Sequence, residues 1–232
     1  MILYNNFGKV LVIAAHADDE TLGCGGTISK LMEKNINCHV HVVTGHGEDK
    51  HPLFDKAIFE EIKKEFKKAI LYIGGPKYSF GNLPAAMLND IPTHFINNEI
   101  KNIIDKIRPN TIFIPSRNDL HLDHKIVNYA SRVACRPYLE NNSNLISIIE
   151  YEVPSETNIY LDHIDDVFTP NLYIDITENI QNKKNALSEY KSQLQELNQP
   201  RSISGIYALA SYRGVNIGVE FAESFKIVFA QF

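Results

Sequence analysis

A run of apolar residues that ends in a cluster of charged side chains constrains this sequence more than any other feature. Residues 9–15 are a lysine followed by six apolar side chains, and His16, Asp18, Asp19 and Glu20 come directly after them. An apolar run without alternation is typical of a strand covered on both faces, as in a parallel sheet. Three carboxylates at the end of a buried strand are unfavourable unless a partner offsets their charge. The sequence therefore predicts both a buried strand and a compensating group at its end.

Strands and helices are predicted to alternate along the first half of the chain. After the first strand, helices are expected in 27–35, 54–69 and 93–107, and strands in 36–45, 70–75 and 111–116. The alternation predicts a Rossmann-like α/β fold, a mainly parallel sheet flanked by helices on both faces. The remainder is less regular, with helices expected in 124–139 and 178–194 and strands in 145–153, 172–176 and 223–232. No repeat or change of composition divides the chain, so residues 1–232 are expected to form one domain.

The composition disfavours several classes of partner and location. A net charge of −5 argues against a nucleic acid or an anionic membrane surface as the partner. No stretch approaches the ~18 apolar residues of a membrane-spanning helix, and residues 1–15 do not resemble a secretory signal. The cysteines, Cys24, Cys38 and Cys135, are odd in number and widely spaced. They are expected to be buried thiols rather than disulfides or zinc ligands, which predicts a reducing, cytoplasmic location.

A second loop carries a similar concentration of histidine and carboxylate. It follows the strand predicted at 111–116 and reads SRNDLHLDH, with Asp119, His121, Asp123 and His124. Because the carboxyl ends of parallel strands meet at one edge of a sheet, the two loops are expected to lie close together. Either loop alone is as readily explained by a solvated turn or a helix cap. Together they predict a metal site at the carboxyl ends of the strands, suited first to Zn²⁺, with Fe²⁺ or another divalent ion as alternatives.

The glycines that follow the first cluster invite comparison with a dinucleotide-binding loop. Gly23, Gly25 and Gly26 do not have the G-x-G-x-x-G spacing, and the acids just before them would repel a pyrophosphate. These glycines are expected instead to allow a tight turn and the close approach of a neighbouring element.

The two loops resemble the motifs of the zinc-dependent N-deacetylases of the PIG-L/LmbE-like family. The family motif AHPDDE, followed by TLxxGG, is present as AHADDETLGCGG, and the motif HPDH is present as HLDH. Weaker matches in VVTGHG, KNALSEYKSQL and RGVNIGVEFAESF extend the resemblance over nearly the whole chain.

The sequence also departs from the family pattern at a few positions. Ala17 and Leu122 replace the usual prolines, which affects the rigidity of the loops rather than any reacting group. The family often has an arginine near the start of the helix after the second strand. No arginine precedes Arg108 here, and Lys56 is the candidate substitute.

The resemblance implies a role for each polar residue of the motifs. It places zinc on His16, Asp19 and His124, with Asp18 as the general base. It assigns His121 to stabilising the oxyanion or protonating the leaving amine, with Asp123 orienting that imidazole. These roles are chemically consistent, because a carboxylate beside a metal-activated water can accept its proton. The residues by themselves do not distinguish Asp18 from Asp19 as the metal ligand.

Other polar residues are assigned from their positions in the predicted loops and strands. His46, in the loop that ends the second strand, is expected to contact the substrate, as are Arg117 and Asp119 in the second cluster. His39 and His41 lie on one face of the second strand and are expected to be structural or surface groups.

The implied activity is the hydrolysis of an N-acyl group, expected to be acetyl, from a small-molecule amino sugar or amino-sugar conjugate. The sugar is implied by the resemblance and not by the residues. Two alternatives stay open: a metal-dependent hydrolase of another amide or a phosphoester, and an inactive carbohydrate-binding relative. Two-metal phosphoester hydrolysis needs more carboxylate ligands than this set offers, and the retention of Asp18 argues against inactivity. A homo-oligomer is compatible with such families.

Overall fold

The computed structural model describes residues 7–48, 51–159 and 167–231, in which seven strands and six α-helices are arranged along the chain. The strands are β1 (Val10–Ala14), β2 (Cys38–Gly45), β3 (Lys77–Pro84), β4 (Thr111–Pro115), β5 (Ser147–Tyr151), β6 (Leu172–Asp175) and β7 (Ala222–Ala230). The helices are α1 (Asp19–Glu33), α2 (Lys56–Tyr72), α3 (Thr93–Ile107), α4 (Leu122–Ala134), α5 (Ile180–Glu189) and α6 (Ile203–Val215).

The strands form one mixed sheet in the order β3-β2-β1-β4-β5-β7-β6. Strands β1 to β5 run parallel to one another, whereas β7 pairs antiparallel with both β5 and β6. The winding direction reverses between β1 and β4, which lie side by side with Val10 opposite Thr111. Such a reversal opens a crevice at the carboxyl ends of the two strands, where ligands bind in open α/β sheets. The predicted fold class is confirmed.

Strand β1 lies at the centre of the molecule and contributes to two separate cores. Val10, Val12 and Ala14 pack into the core that includes α1, α2, α5 and α6, whereas Leu11 and Ile13 pack into the core that includes α3 and α4. All five side chains are at most 1% exposed. Burial on both faces explains the unbroken apolar run, since each such side chain contributes about 1.5–3 kcal/mol of transfer free energy.

Several elements differ from the prediction. The helix predicted at 27–35 begins at Asp19, so the acidic cluster enters its first turn. The strand predicted at 70–75 is wrong, because α2 continues to Tyr72; Ile70 in that helix and Ile73 in the turn after it are both buried in the core. The third strand is instead 77–84, an edge strand of mixed polarity that lacks a clear pattern. Helix α6 was not predicted, because its mixture of glycine and apolar residues has little amphipathic periodicity.

The expected structural role of two histidines of β2 is confirmed. His39 and His41 each approach the hydroxyl of Ser79 on β3, with ring nitrogens 2.8 and 2.9 Å from Oγ. The second ring nitrogen of His41 lies 3.2 Å from the carboxylate of Glu99 on α3. Burial, aided by the charge of His41, lowers the pKa of His39 to about 4. These rings join β2 to β3 and α3.

The described residues agree with the expectations for the thiols and for membrane spans. Cys24, Cys38 and Cys135 are buried and free. Burial raises the pKa of Cys38 and of Cys135 to about 12, so both thiols stay protonated. Across the described ranges, none of the helices has the length and apolarity that crossing a bilayer requires.

The glycines after the first cluster lie inside α1 and bring it close to its neighbours. A methyl group at Gly23 would lie 2.3 Å from the ring of Tyr151 and 2.9 Å from the carbonyl oxygen of Glu152. A methyl group at Gly26 would lie 2.7 Å from the side chain of Ile176. The expected close approach is confirmed, whereas the expected tight turn is wrong because the segment is helical.

We expect Gly23→Ala to destabilise the protein by about 1–3 kcal/mol, because overpacking against a buried ring exceeds the gain in helix propensity. Gly25→Ala is the matched control, since its methyl group would lie 3.3 Å from side-chain atoms of Lys183 and Thr21, about 1 Å farther than the methyl group at Gly23 would lie from Tyr151. Urea unfolding of both variants measures the difference. Equal stability of the two variants would contradict the packing argument.

Candidate metal centre and active-site cavity

The two charged loops meet at the reversal between β1 and β4. Residue 18 is the N-cap of α1, so Asp19 stands in the first turn of that helix, and His121 is the N-cap of α4. Asp18 has a φ of 131°, a backbone conformation that costs energy in a non-glycine residue and is concentrated at functional sites. The side chain of Glu20 holds this turn, accepting hydrogen bonds from the backbone N–H of Asp18 and the hydroxyl of Tyr190.

Three donor atoms converge at this point, two from the first charged loop and one from the second. His16 Nδ1 lies 3.2 Å from His124 Nε2, and these residues are 108 positions apart. Asp19 Oδ2 lies 3.2 Å from His124 Nε2 and 3.7 Å from His16 Nδ1. Each of His16, His121 and His124 also has a ring nitrogen within 4.8 Å of the others, a histidine cluster that could hold a metal ion.

A carboxylate lies behind each of two histidines. Asp123 Oδ2 is 2.9 Å from His16 Nε2, and Asp119 Oδ2 is 3.0 Å from His124 Nδ1. A carboxylate at the far nitrogen fixes the ring tautomer and leaves the other nitrogen as a lone-pair donor, as in metal-binding histidines. The free donors are therefore His16 Nδ1 and His124 Nε2, the pair that lies 3.2 Å apart.

This arrangement fits a divalent cation. Two nitrogen lone pairs and a carboxylate oxygen within 3.2–3.7 Å of one another repel unless a positive charge lies among them. Imidazole and carboxylate are ligands of catalytic zinc sites. Although burial opposes both shifts, the attraction between His124 and Asp19 lowers the pKa of Asp19 and raises that of His124.

Asp18 lies beside this centre and also faces the cavity. Burial, reinforced by the negative charge of Asp19, raises the pKa of Asp18 well above its usual value. Its Oδ2 is buried and has no hydrogen-bond partner among the described residues. The guanidinium of Arg201 approaches this oxygen to 3.6 Å and acts in the opposite direction on the pKa. A buried carboxylate oxygen that accepts no hydrogen bond is available to accept a proton.

His121 differs from the other two histidines in its hydrogen bonding. Its Nδ1 accepts the backbone N–H of Asp123 at 3.2 Å, so the neutral ring carries its proton on Nε2. Burial, together with the charges of His16 and His124, lowers the pKa of His121. The expectation that the Asp123 carboxylate orients His121 is wrong, because that carboxylate bonds to His16 and to the backbone N–H groups of residues 86 and 88.

The site opens into a cavity of about 340 Å³. The polar motif residues that line it are His16, Asp18, Asp19, His121 and His124. The three predicted substrate contacts do not line it. His46 packs against the rings of His51 and Phe59, Arg117 is exposed, and Asp119 is buried behind His124. Lys56 is exposed and does not line the cavity either.

Several cavity residues were missed by the sequence analysis. Arg201 and Glu156 lie in irregular segments and belong to none of the motifs, so nothing in the sequence marked them. Arg201 lies just before α6, and its backbone exchanges hydrogen bonds with Gln195. Its Nε is buried and unpaired within the described part of the chain. Arg201 therefore presents a donor at the cavity, where the resemblance had suggested Lys56.

Comparison with known proteins agrees with this geometry. A family model for PIG-L, described as GlcNAc-PI de-N-acetylase, matches residues 11–135, more than half of the chain. The diacetylchitobiose deacetylase of Thermococcus kodakarensis is 26% identical over an alignment of 239 positions, which covers 97% of this chain and 85% of that protein.

Two solved structures share the fold. The N,N'-diacetylchitobiose deacetylase from Pyrococcus horikoshii, complexed with its inhibitor MPG, has a TM-score of 0.75 and 22% identity, covering 97% of this chain and 85% of that one. The 4-carboxy-2-hydroxymuconate hydratase GalB from Pseudomonas putida KT2440 has a TM-score of 0.72 and 17% identity, covering 97% and 98%. At these identities the likeness shows the fold alone, and one fold here carries two different reactions.

Proposed function

This chain belongs to the PIG-L family of de-N-acetylases, and from that premise we propose that it is a metal-dependent hydrolase that removes an N-acetyl group from an amino sugar or amino-sugar conjugate. One observation carries the proposal: residues of both family motifs line a single cavity, with three metal-donor atoms 3.2–3.7 Å apart and a buried carboxylate oxygen on Asp18 that accepts no hydrogen bond. A hydratase with the same fold does not have to share these site residues. The proposal therefore depends on the residues of the site rather than on the fold.

We propose His16, Asp19 and His124 as the metal ligands, with Zn²⁺ as the first candidate. Two imidazoles and one carboxylate are a ligand set of catalytic zinc sites, and the donor atoms leave a side open to the cavity. When bound, the metal supplies Lewis acidity toward a water and an amide carbonyl. In this assignment Asp119 and Asp123 are positioning residues, because each touches a ligand histidine and not the substrate.

The proton transfers of amide hydrolysis are assigned to Asp18. Its Oδ2, which accepts no hydrogen bond in the structure, accepts a proton from the attacking water and returns that proton to the nitrogen as the C–N bond breaks, so the amine leaves neutral. The Nε2–H of His121 donates to the carbonyl oxygen as that oxygen gains negative charge. A neutral ring suits this role, which favours stabilisation of the oxyanion over delivery of a proton to the amine.

Arg201 and Glu156 are proposed to orient the substrate. Both line the cavity; burial raises the pKa of Glu156, and the positive charge of Arg201 is one of the smaller effects that oppose this shift. A sugar hydroxyl can accept a hydrogen bond from a guanidinium while it donates one to a carboxylate. We also predict that the substrate is a small molecule, that the protein is cytoplasmic and that it forms a homo-oligomer.

The test is the release of acetate from N-acetylglucosamine, N,N'-diacetylchitobiose and their glycosides by purified protein, before and after metal removal. We expect acetate and free amine in equal amounts, about one metal ion per chain, and loss of turnover with a chelator. Folded, metal-loaded protein that releases no acetate would contradict the proposal. Phosphoester cleavage with about two metal ions per chain would favour the alternative hydrolase.

We expect Asp119→Asn and Asp123→Asn each to weaken metal binding about 10–100-fold, because each substitution removes the carboxylate that sets the tautomer of a ligand histidine. Competition with a chelating dye measures the affinity. Asp90→Asn, at an exposed position, is the matched control. If Asp123→Asn left the metal affinity unchanged, His16 would not be a ligand held by that carboxylate.

A further inference from the structure

About one turn along α1 from Asp19, the helix contacts a buried ion pair that supplies no group to the chemistry of hydrolysis. Lys183 on α5 and Glu223 on β7 are 4% and 5% exposed, and Lys183 Nζ donates to Glu223 Oε1 at 2.6 Å. We propose that this ion pair sets the position of the first turn of α1, so that Lys183 and Glu223 are positioning residues for Asp18 and Asp19. The inference rests on the proposed function, which assigns a metal to Asp19 and proton transfer to Asp18.

The ion pair contacts the backbone of α1 on both sides of one helical turn. Lys183 Nζ donates to the carbonyl oxygen of Leu22 at 2.7 Å. The Glu223 carboxylate accepts the backbone N–H groups of Gly26 and Thr27, at 2.9 and 2.7 Å. In a regular α-helix the N–H of residue 26 donates directly to the carbonyl oxygen of residue 22. The ion pair therefore links, through charged side chains, two groups that a regular helix joins to each other.

The glycines of α1 explain how charged side chains reach its backbone. Three of the four residues from 23 to 26 are glycines, and a methyl group at Gly25 would lie 3.3 Å from Cγ of Lys183. Glycine inside a helix also lowers the intrinsic helix propensity of that turn. The geometry of this turn therefore depends on contacts from neighbouring elements, and α5 and β7 supply them through the ion pair.

Stability alone does not account for a buried ion pair at this place. Removing two charges from water often costs as much as their attraction returns, and apolar side chains of similar volume are frequently as stabilising. Hydrogen bonds from charged groups have a direction that apolar contacts lack, and here they fix three backbone groups of α1. Those groups lie within about two turns of Asp19, whose Oδ2 is 3.2 Å from His124 Nε2. Leu22, which Lys183 holds, also lines the cavity.

The test replaces both charges at once with side chains of similar size, in Lys183→Met/Glu223→Met. No unpaired charge is left in the core, and the carbonyl oxygen of residue 22 and the N–H of residue 26 can then bond to each other. We expect this variant to fold but to displace the first turn of α1. Co²⁺ should bind at least about tenfold more weakly, and the visible absorption spectrum of bound Co²⁺ should change.

Kinetics separate a positioning role from a substrate contact. The double variant, saturated with metal, should hydrolyse N-acetylglucosamine glycosides with a kcat lowered about tenfold or more and with KM changed by less than about twofold, because misplaced reacting groups reduce the rate of the chemical step. Competition with a chelating dye measures the affinity for Co²⁺, and urea unfolding measures the stability.

The matched control is Arg213→Met/Glu152→Met. Arg213 and Glu152 form a second ion pair, 12% and 11% exposed at their side chains, with an N···O distance of 2.6 Å. Among the described residues, the charged group of Glu152 bonds to Arg213 and Ser224 and not to α1. This variant should keep the wild-type affinity for Co²⁺ and the wild-type spectrum, even where its stability falls.

The possible failures are distinguishable. If the double variant does not fold, Glu223→Gln takes its place, since it keeps the shape of the side chain and an oxygen for Lys183; its effect on Co²⁺ should have the same direction and be several-fold. Wild-type affinity and an unchanged spectrum in whichever variant is used would overturn the inference. Wild-type protein that binds Co²⁺ and releases no acetate would refute only the proposed function, and wild-type protein that binds no Co²⁺ would overturn both.

Discussion

Replacement of His124 by alanine is expected to remove the bound metal and to lower kcat/KM by roughly 10³-fold or more, equivalent to about 4 kcal/mol of transition-state stabilisation. His124 is 1% exposed, and its Nε2 lies 3.2 Å from both His16 Nδ1 and Asp19 Oδ2. Removing it takes away the central donor of the three. Metal content by mass spectrometry and acetate release should fall together. His94→Ala, at an exposed histidine of α3, should change neither quantity.

A companion variant distinguishes the two possible ligand sets. The histidine cluster would allow His121 to serve as the third ligand, whereas the shorter distances favour Asp19. His121→Ala is therefore expected to keep about one metal ion per chain while losing most of its rate. If His121→Ala lost its metal and Asp19→Asn kept it, the site would be a three-histidine centre and the assigned ligands would be wrong.

Much of the fold could be predicted because burial on both faces leaves a strong pattern. The apolar runs of β1 and β4 and the amphipathic pattern of α3 are local properties of the sequence. Strand β3 is an edge strand with a shifted register against β2, so its residues carry no such pattern. The antiparallel course of β7 depends on tertiary pairing with β5 and β6, which no local pattern encodes.

The sequence predicted which motif residues meet at the site better than it predicted the contacts between them. The motifs and the strand order are enough to bring His16 and His124 together, and their residues also identify the family. The partners of Asp119 and Asp123 depend on side-chain directions within one loop, which residue spacing does not fix. Arg201 reaches the cavity through the tertiary packing of a distant irregular segment, so a single arginine there gave no indication of its position.

The second large effect is expected from Asp18→Asn, which should retain the metal while kcat falls by about 10²–10⁴-fold. The amide has nearly the shape of the carboxylate but cannot accept the proton of the attacking water. Asparagine also tolerates positive φ better than alanine, so the backbone at φ 131° is retained. Loss of rate without loss of metal is the result that distinguishes a base from a ligand, and it separates Asp18 from Asp19.

The pH dependence of kcat/KM is an independent test of the proposed role of Asp18. Burial and the charge of Asp19 raise the pKa of Asp18, and only the unprotonated carboxylate can act as a base. Wild-type activity should therefore fall as the pH falls through that pKa, and the residual activity of Asp18→Asn should lack this step. Metal content measured across the same pH range shows whether ligand protonation contributes to the fall. An Asp18→Asn variant with wild-type kcat and an unchanged acid limb would assign the base to another group. Glu156, whose carboxylate also lines the cavity, would be the next to test.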